Sequence, residues 1–245
     1  MTRIGACQTP EILGDVDAAL AVVREFAALA DHAGVGVLLF PECFLQGYLV
    51  TESHVRAQAL PLDSPVLTEL AGIRQTLVLG MIEREGGRYF NTAAVVVAGQ
   101  VVGRYRKTFL VPGESVFTPG DEYPVFDRDG VRFGINICYD TRFPAAAAAV
   151  AANGAQVLLV PAQNMMPREK AFFWQERHNA IRAERARETG MWLASADVMG
   201  ERDESRIGLG PTCLLDPAGQ VVARVPTGVS GVVHAAVVGP ADPYD

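Results

Sequence analysis

The chain has 245 residues, of which 49% are hydrophobic and 20% charged, with a net charge of −7. That is enough chain for one sizeable core, in a composition that excludes a disordered protein and gives no electrostatic case for binding nucleic acid or an anionic membrane surface. The longest apolar run, 145–152, is far short of the roughly 20 residues that a membrane-spanning helix needs.

In chain order, residues 4–8 read as a first strand, and 15–31 follow as an amphipathic helix with Asp15 as N-cap and Gly34 as stop. Residues 35–40 form a nearly continuous apolar run, the mark of a strand covered on both faces. A second helix is predicted over 65–75, then a strand over 77–83. Gly86-Gly87 joins that strand to one over 89–98, and Gly99-Gln100 leads to another over 101–105. Beyond a loop rich in Pro and Gly come a strand over 131–137, a helix over 144–153 stopped by Gly154, and a strand over 157–160. A long charged helix spans 168–188 with Gly190 as its stop. Strands over 192–196, 212–215, 221–225 and 232–238 complete the chain. Hairpins mixed with strand–helix–strand crossovers imply an α/β protein with mixed sheets in one domain, 1–245.

The four cysteines (Cys7, Cys43, Cys138, Cys213) are too scattered for a disulfide scaffold, and no CxxC, HExxH or paired-histidine spacing occurs. No metal and no cofactor is expected. The N-terminal Met1-Thr2-Arg3-Ile4-Gly5 has no signal-peptide character, so a cytoplasmic location is expected.

Cys138 stands where an apolar strand stops and a helix starts, at the carboxyl end of the strand, where α/β sheets bind ligands. A helix N-terminus there would lower the thiol's pKa. The other three cysteines lie in or beside apolar strands and read as structural. A nucleophilic thiol needs a base. His178 lies inside the charged helix, where a solvated or ion-paired role is expected, and no GxSxG elbow exists. Two other groups stand at strand ends. Glu42 follows Phe40-Pro41, where burial would make its carboxylate a useful base. Lys107 is followed by apolar Phe109, Leu110 and Val111, unlike a solvated lysine.

Together, Pro41-Glu42, Arg106-Lys107-Thr108-Phe109-Leu110 and Asn136-Ile137-Cys138-Tyr139-Asp140-Thr141-Arg142-Phe143-Pro144 resemble the Glu-Lys-Cys signature of the nitrilase superfamily of carbon–nitrogen hydrolases. Gln8, Phe117-Thr118-Pro119-Gly120, Pro161-Ala162, 182–188 and Asp216-Pro217-Ala218-Gly219 extend the resemblance over nearly the whole chain. It implies a four-layer αββα sandwich with two mixed β-sheets, and a homodimer paired through the charged helix and the C-terminal strand. It also implies that the Cys138 thiolate attacks an amide carbonyl while Glu42 acts as general base. Lys107 and the backbone N–H of Tyr139 would stabilise the oxyanion, and Glu114 would orient the substrate and support Lys107. Nitrile hydrolysers of the superfamily carry Trp-Glu after the nucleophile, whereas Cys138-Tyr139-Asp140 looks like the amide and carbamoyl hydrolysers. The expected partner is therefore a small amide or carbamoyl compound, with nitrile hydrolysis by the same residues or a non-catalytic binding role as the alternatives. Tyr48, Phe143, Asn164 and Met165 are the expected pocket residues. Ala145, where many relatives have Glu, and the loop 163–167 depart from the common pattern beside that pocket.

Overall fold

The computed structural model describes residues 2–128 and 130–237. The first part of the chain forms β1 (Thr2–Pro10), α1 (Val16–His32), β2 (Val35–Leu39), α2 (Glu52–Gln58), β3 (Thr76–Glu85), β4 (Arg88–Val97) and β5 (Gln100–Arg106). There follow β6 (Val125–Arg128), β7 (Val131–Ile135), α3 (Pro144–Ala152), β8 (Val157–Pro161), β9 (Met166–Pro167) and α4 (Arg168–Thr189). The chain returns through β10 (Trp192–Glu201), β11 (Arg206–Leu209), β12 (Cys213–Leu215), β13 (Val221–Arg224) and β14 (Gly231–Val237). The last residue of the strand predicted over 232–238 lies outside the described residues.

Local chemistry accounts for most of these elements. Asp15 caps α1 by accepting from the Ala18 N–H at 2.9 Å, and the buried residues Ala19, Leu20, Val23, Phe26, Ala27 and Ala30 fall on one face at helical spacing. Gly190, with φ +69°, ends α4 by bonding its N–H to the Ala186 carbonyl at 2.8 Å. The two-residue turn Gly86-Gly87 holds both residues at positive φ, as the tightest hairpin turn demands.

The predicted helix over 65–75 is instead a six-residue 3-10 helix, Pro65–Leu70. Its buried residues, Leu67 and Leu70, are three apart, which suits the 3-10 period. Helix α2 escaped the pattern reading because Val55 is its single buried residue, which leaves no apolar periodicity. The strand predicted over 192–196 runs on to Glu201.

The result is a mixed α/β fold with one large connected sheet system and helices against it. The main path runs β5-β4-β3-β2-β1-β10-β8-β7-β6. β1 is parallel to both β2 and β10, and β7, β8 and the first half of β10 are also parallel. β10 changes partners along its length. Trp192 to Ala196 pair with Val157 to Pro161 of β8, whereas Asp197, Val198 and Met199 pair with Gln8, Thr9 and Pro10 of β1. One apolar cluster joins α1 to β2, β3 and β4, a second gathers side chains from β1, β2, β4, β7, β8 and β10, and a third packs α3 and α4 on β8, β10 and β12. Each large side chain buried there contributes about 1.5–3 kcal/mol. The carboxyl ends of β2, β5, β7 and β8 deliver Glu42, Lys107, Cys138 and the loop 162–165.

Gly80 of β3 permits one of these deliveries. A Cβ there would lie 2.1 Å from the Pro41 carbonyl oxygen, 2.5 Å from the Cys43 nitrogen and 2.8 Å from the Glu42 carbonyl carbon. Gly80→Ala must displace the backbone that carries Glu42, and it is expected to destabilise the fold by about 1–3 kcal/mol, as overpacking does. Gly72→Ala, with no atom within 4 Å of its new Cβ, should stay within about 0.5 kcal/mol of the parent. Urea denaturation of the two variants side by side is the check.

Candidate active site

Glu42, on the loop after β2, and Lys107 and Glu114, both on the loop after β5, meet at one buried point. Lys107 Nζ donates to Glu42 Oε1 at 2.7 Å and to Glu114 Oε1 at 3.0 Å. No more than 1% of any of the three side chains is exposed. Asn91 of β4 donates from Nδ2 to Glu42 Oε1 at 2.7 Å and to Glu114 Oε1 at 3.2 Å, and its backbone carbonyl accepts from the Lys107 N–H at 2.8 Å. Tyr48 adds a hydroxyl donor to Glu114 Oε1 at 2.9 Å, while Glu114 Oε2 accepts from the Val111 N–H at 2.7 Å. The Glu42 N–H reaches the Ala162 carbonyl at 3.2 Å, which ties the end of β2 to the loop after β8.

This burial decides the protonation chemistry. Burial pushes the Glu42 carboxyl above its ordinary range, and Glu114 pushes the same way against the pull of Lys107. Burial alone would strip the proton from Lys107. The carboxylates of Glu42 and Glu114 outweigh it and hold the ammonium above the usual lysine range.

Residue 106 shows the opposite side of the same strand end. Arg106 pairs with Glu83, which is 1% exposed, and with Glu85 at 2.8 Å, and its guanidinium lies 3.7 Å from the Phe90 ring centroid. Adjacent cations on β5 and the loop after it thus each hold two carboxylates.

Cys138 opens a five-residue 3-10 helix, Cys138–Arg142, with φ +44°. A non-glycine residue in that left-handed region stores about 1–3 kcal/mol of strain, and such strain clusters at functional sites. Cys43, next to Glu42, has φ +47°. The expectation that a helix N-terminus lowers the Cys138 pKa is corrected here, because one 3-10 turn is too short to develop much dipole. Burial pushes the thiol well up, Glu42 and Asp197 push the same way, and Lys107 and the Gln163 backbone N–H oppose them. The resting side chain is a thiol whose proton needs an acceptor.

Asp140 fixes this helix to the loop that carries Lys107. Its Oδ2 accepts from the Ile137 N–H and the Tyr105 hydroxyl, and its Oδ1 from the Phe109 N–H, each at 2.8 Å. Burial raises its pKa to about 6 against these three donors. On the other side, Asp197 accepts from the Asn164 N–H at 2.9 Å and from the Asn164 side-chain amide, with Arg182 Nη2 at 3.7 Å.

A cavity of about 280 Å³ opens onto Glu42, Lys107 and Cys138. Tyr48, Tyr139, Asn164 and Met165 also line it, together with Gln163 and Met166 of the neighbouring loop and with Arg142, Trp174, His178 and Ile181, which were not expected there. Phe143 is placed differently from its expected pocket role. Its ring stacks on Phe109 at 3.9 Å and meets Tyr139 edge-on at 5.3 Å, so it buttresses the wall from behind. His178 is half-buried, and no ion pair to it is present among the described residues. It stacks on Trp174 at 5.6 Å between centroids, and burial, with Arg182 and Arg142, lowers its pKa to about 3. Asn91 and Asp140 had no assigned role in the sequence. The signal for Asn91 is a polar amide inside an otherwise apolar strand.

The carbon–nitrogen hydrolase family model matches residues 3–239. An (R)-stereoselective amidase of Pseudomonas sp. is 35% identical over 85% of this chain and 76% of its own length. The human omega-amidase NIT2 is 29% identical over 87% of this chain and 79% of its own. The NitN amidase of Nesterenkonia sp. AN1 superposes with a TM-score of 0.80 at 28% identity, covering 97% of this chain and 93% of that one. A mutant of that amidase carries acrylamide added to its active-site cysteine. Family match and amidase neighbours agree over almost the full chain: it belongs to the carbon–nitrogen hydrolases, in the amidase branch of the nitrilase superfamily.

Proposed function

We propose that this enzyme hydrolyses a small amide through a thioester on Cys138, with Glu42 as general base and Lys107 and the Tyr139 backbone N–H as oxyanion donors. The observation that carries the reading is the buried Glu42–Lys107–Glu114 cluster opening, beside Cys138, onto one cavity. Glu42, with its raised affinity for a proton, takes the thiol hydrogen as sulfur attacks the carbonyl carbon. The oxygen gains negative charge facing the Lys107 ammonium, whose proton is held firmly by its neighbours. Collapse breaks the C–N bond, and Glu42 returns its proton to the departing ammonia or amine. Water then gives a proton to Glu42 and attacks the thioester, releasing the acid and restoring the thiol. Glu114 keeps Lys107 oriented, and its hydrogen bond from Tyr48 links it to the cavity wall.

The same reading extends to architecture. The three apolar clusters support a four-layer αββα sandwich of two mixed sheets in one domain, 1–245, with β10 passing between the sheets. Exposed Phe172 and Phe173 on α4, 60% and 53% accessible, support pairing of two copies through that helix.

Ammonia release from a panel of ω-amides, carbamoyl compounds, aliphatic amides and nitriles tests the substrate class, with turnover expected from amides and none from nitriles. Cys138→Ala should abolish turnover while circular dichroism stays unchanged. Glu42→Gln should slow single-turnover acylation by about 10²–10⁴-fold. Because a base must be deprotonated to work, kcat/KM should fall as pH drops through the raised Glu42 pKa. The acid limb therefore lies above the ordinary carboxyl value of 4.5, and a limb at or below it would mean that another group is the base.

Lys107→Arg keeps the charge that the two carboxylates require, so the fold should survive. A planar fork cannot take the place of a compact ammonium between acceptors at 2.7 and 3.0 Å. A loss of about 10²–10³-fold in kcat is expected, as for removal of an oxyanion donor. Near-parental kcat in that variant would remove Lys107 from the chemistry.

A further inference from the structure

The carboxylate oxygens of Glu42 and Glu114 are unequally supplied with donors. Glu42 Oε1 accepts from Lys107 Nζ and from Asn91 Nδ2, both at 2.7 Å. Glu114 Oε1 accepts from Lys107 Nζ, Asn91 Nδ2 and the Tyr48 hydroxyl, and Glu114 Oε2 accepts from the Val111 N–H. Glu42 Oε2 accepts nothing from the described residues. Glu42 lines the cavity with Cys138, whereas Glu114 is not among the lining residues. Asn91 is 1% exposed, and its Oδ1 is shielded from solvent with no partner among the described residues, while Glu42 Oε2 is not shielded. Turning the amide over would set Oδ1 at 2.7 Å and 3.2 Å from carboxylate oxygens, so repulsion keeps Nδ2 there and leaves Oδ1 unpaired. A buried acceptor without a donor costs free energy comparable to a lost hydrogen bond, and one beside a reactive cluster points to function.

We infer that Asn91 is a positioning residue: with Lys107 it occupies Glu42 Oε1, and so reserves Oε2 as the oxygen that takes the Cys138 proton. This rests on the amide-hydrolase reading, which makes Glu42 the base without distinguishing its two oxygens. The S–H bond breaks as its hydrogen passes to Oε2, and the electron pair left on sulfur forms the C–S bond to the amide carbon. Lys107 by itself does not fix the choice, because an ammonium is a compact charge on a flexible stem and attracts either oxygen. The planar amide of Asn91 stands at a fixed place on β4, where its backbone carbonyl also accepts from the Lys107 N–H at 2.8 Å. The titratable groups that act on Glu42 are Lys107 and Glu114 on the loop after β5, Cys43 and Tyr48 on the loop after β2, and Cys138. Burial pushes Cys43, Tyr48 and Cys138 toward their neutral forms, so none of these three titrates with Glu42 at acid pH. The bond from Asn91 favours the ionised form of Glu42 and keeps its carboxyl from rising further.

Asn91→Leu keeps a side chain of similar size and the backbone carbonyl but removes both amide hydrogens. Single-turnover acylation by butyramide should slow by about 10–10²-fold. The Kd of butyramide for the Cys138→Ala form, measured by calorimetry with and without Asn91→Leu, should stay within about threefold. The acid limb of kcat/KM should move up by about one pH unit, since a carboxylate that loses a donor binds its proton more tightly. Alkylation of Cys138 by iodoacetamide needs the same proton removed but no C–N bond broken, and it should slow and shift in the same direction. Asn91→Ala is carried in parallel, and the variant that keeps the parental circular dichroism decides. An acid limb that stays or moves down, acylation within about threefold of the parent, or a loss of acylation matched by an equal loss of affinity would each overturn the inference. Unfolding of both variants would do the same, because Asn91 would then be a structural residue. A shifted alkylation limb, with no ammonia released by the parent enzyme, would uphold the role of Asn91 and sink the hydrolase reading instead.

Discussion

The Lys107 ammonium, 1% exposed, has one carboxylate at 2.7 Å and another at 3.0 Å, and the rest of the site is arranged around keeping it there. Moving one such ion out of water costs several kcal/mol even after relaxation, and only close partners with further hydrogen bonds offset it. Asn91 supplies those bonds to both carboxylates, and Tyr48 and the Val111 N–H supply more to Glu114. Two carboxylates and one ammonium leave the cluster one positive charge short. A proton would make up the difference, and the Cys138 thiol, itself pushed toward its neutral form by burial, holds one beside the cluster. The site places a thiol that burial keeps protonated beside a carboxyl that burial has made more receptive to a proton.

Holding four loops in register around so small a charge cluster falls to a few contacts of backbone dimensions. The absence of a side chain at Gly80 lets β3 approach the Glu42 loop. Asp140 joins the Cys138 turn to the Lys107 loop with three short bonds, and the Ala162 carbonyl joins the Glu42 loop to β8. Because β10 pairs with β8 on its first half and with β1 on its second, Asp197, at the change of partner, reaches Asn164 in the cavity wall.

The residues that meet at the cavity, Glu42, Lys107 and Cys138, stood out in the sequence because they stand where apolar strands end, and because three such positions in order match a known signature. Most strands were legible as apolar runs set off by glycine turns, whereas the short β6, β9 and β11 were not. What stayed hidden depends on contacts distant along the chain. Asn91 serves carboxylates that lie 49 and 23 residues away. His178 is held by Trp174 on its own helix, but most of the cavity it lines comes from loops elsewhere in the chain, as far back as Glu42 and Tyr48. Its helix has no apolar stripe, since α4 alternates charged and small residues around most of its circumference. The stretch 65–70 had apolar residues enough for a helix, but their spacing of three favours the tighter turn.

Arg106 and Lys107 have a joint consequence for how the chain must close its β4–β5 hairpin. Both are cations, each serves two carboxylates, and they point to opposite sides of the strand end. A slip of one residue would exchange them, because side chains alternate across a strand. Charge matching alone would accept the exchanged arrangement, with guanidinium in the cavity and ammonium beside Glu83. The distinction therefore falls to geometry upstream: the Ala98-Gly99 turn, both residues at positive φ, and the register shift between Val95 and Val96. These two small backbone irregularities, which carry no reactive group, set the register that puts Lys107 rather than Arg106 in the cavity wall. Insertions or deletions in that turn would change which cation lines the cavity while leaving the charge inventory intact.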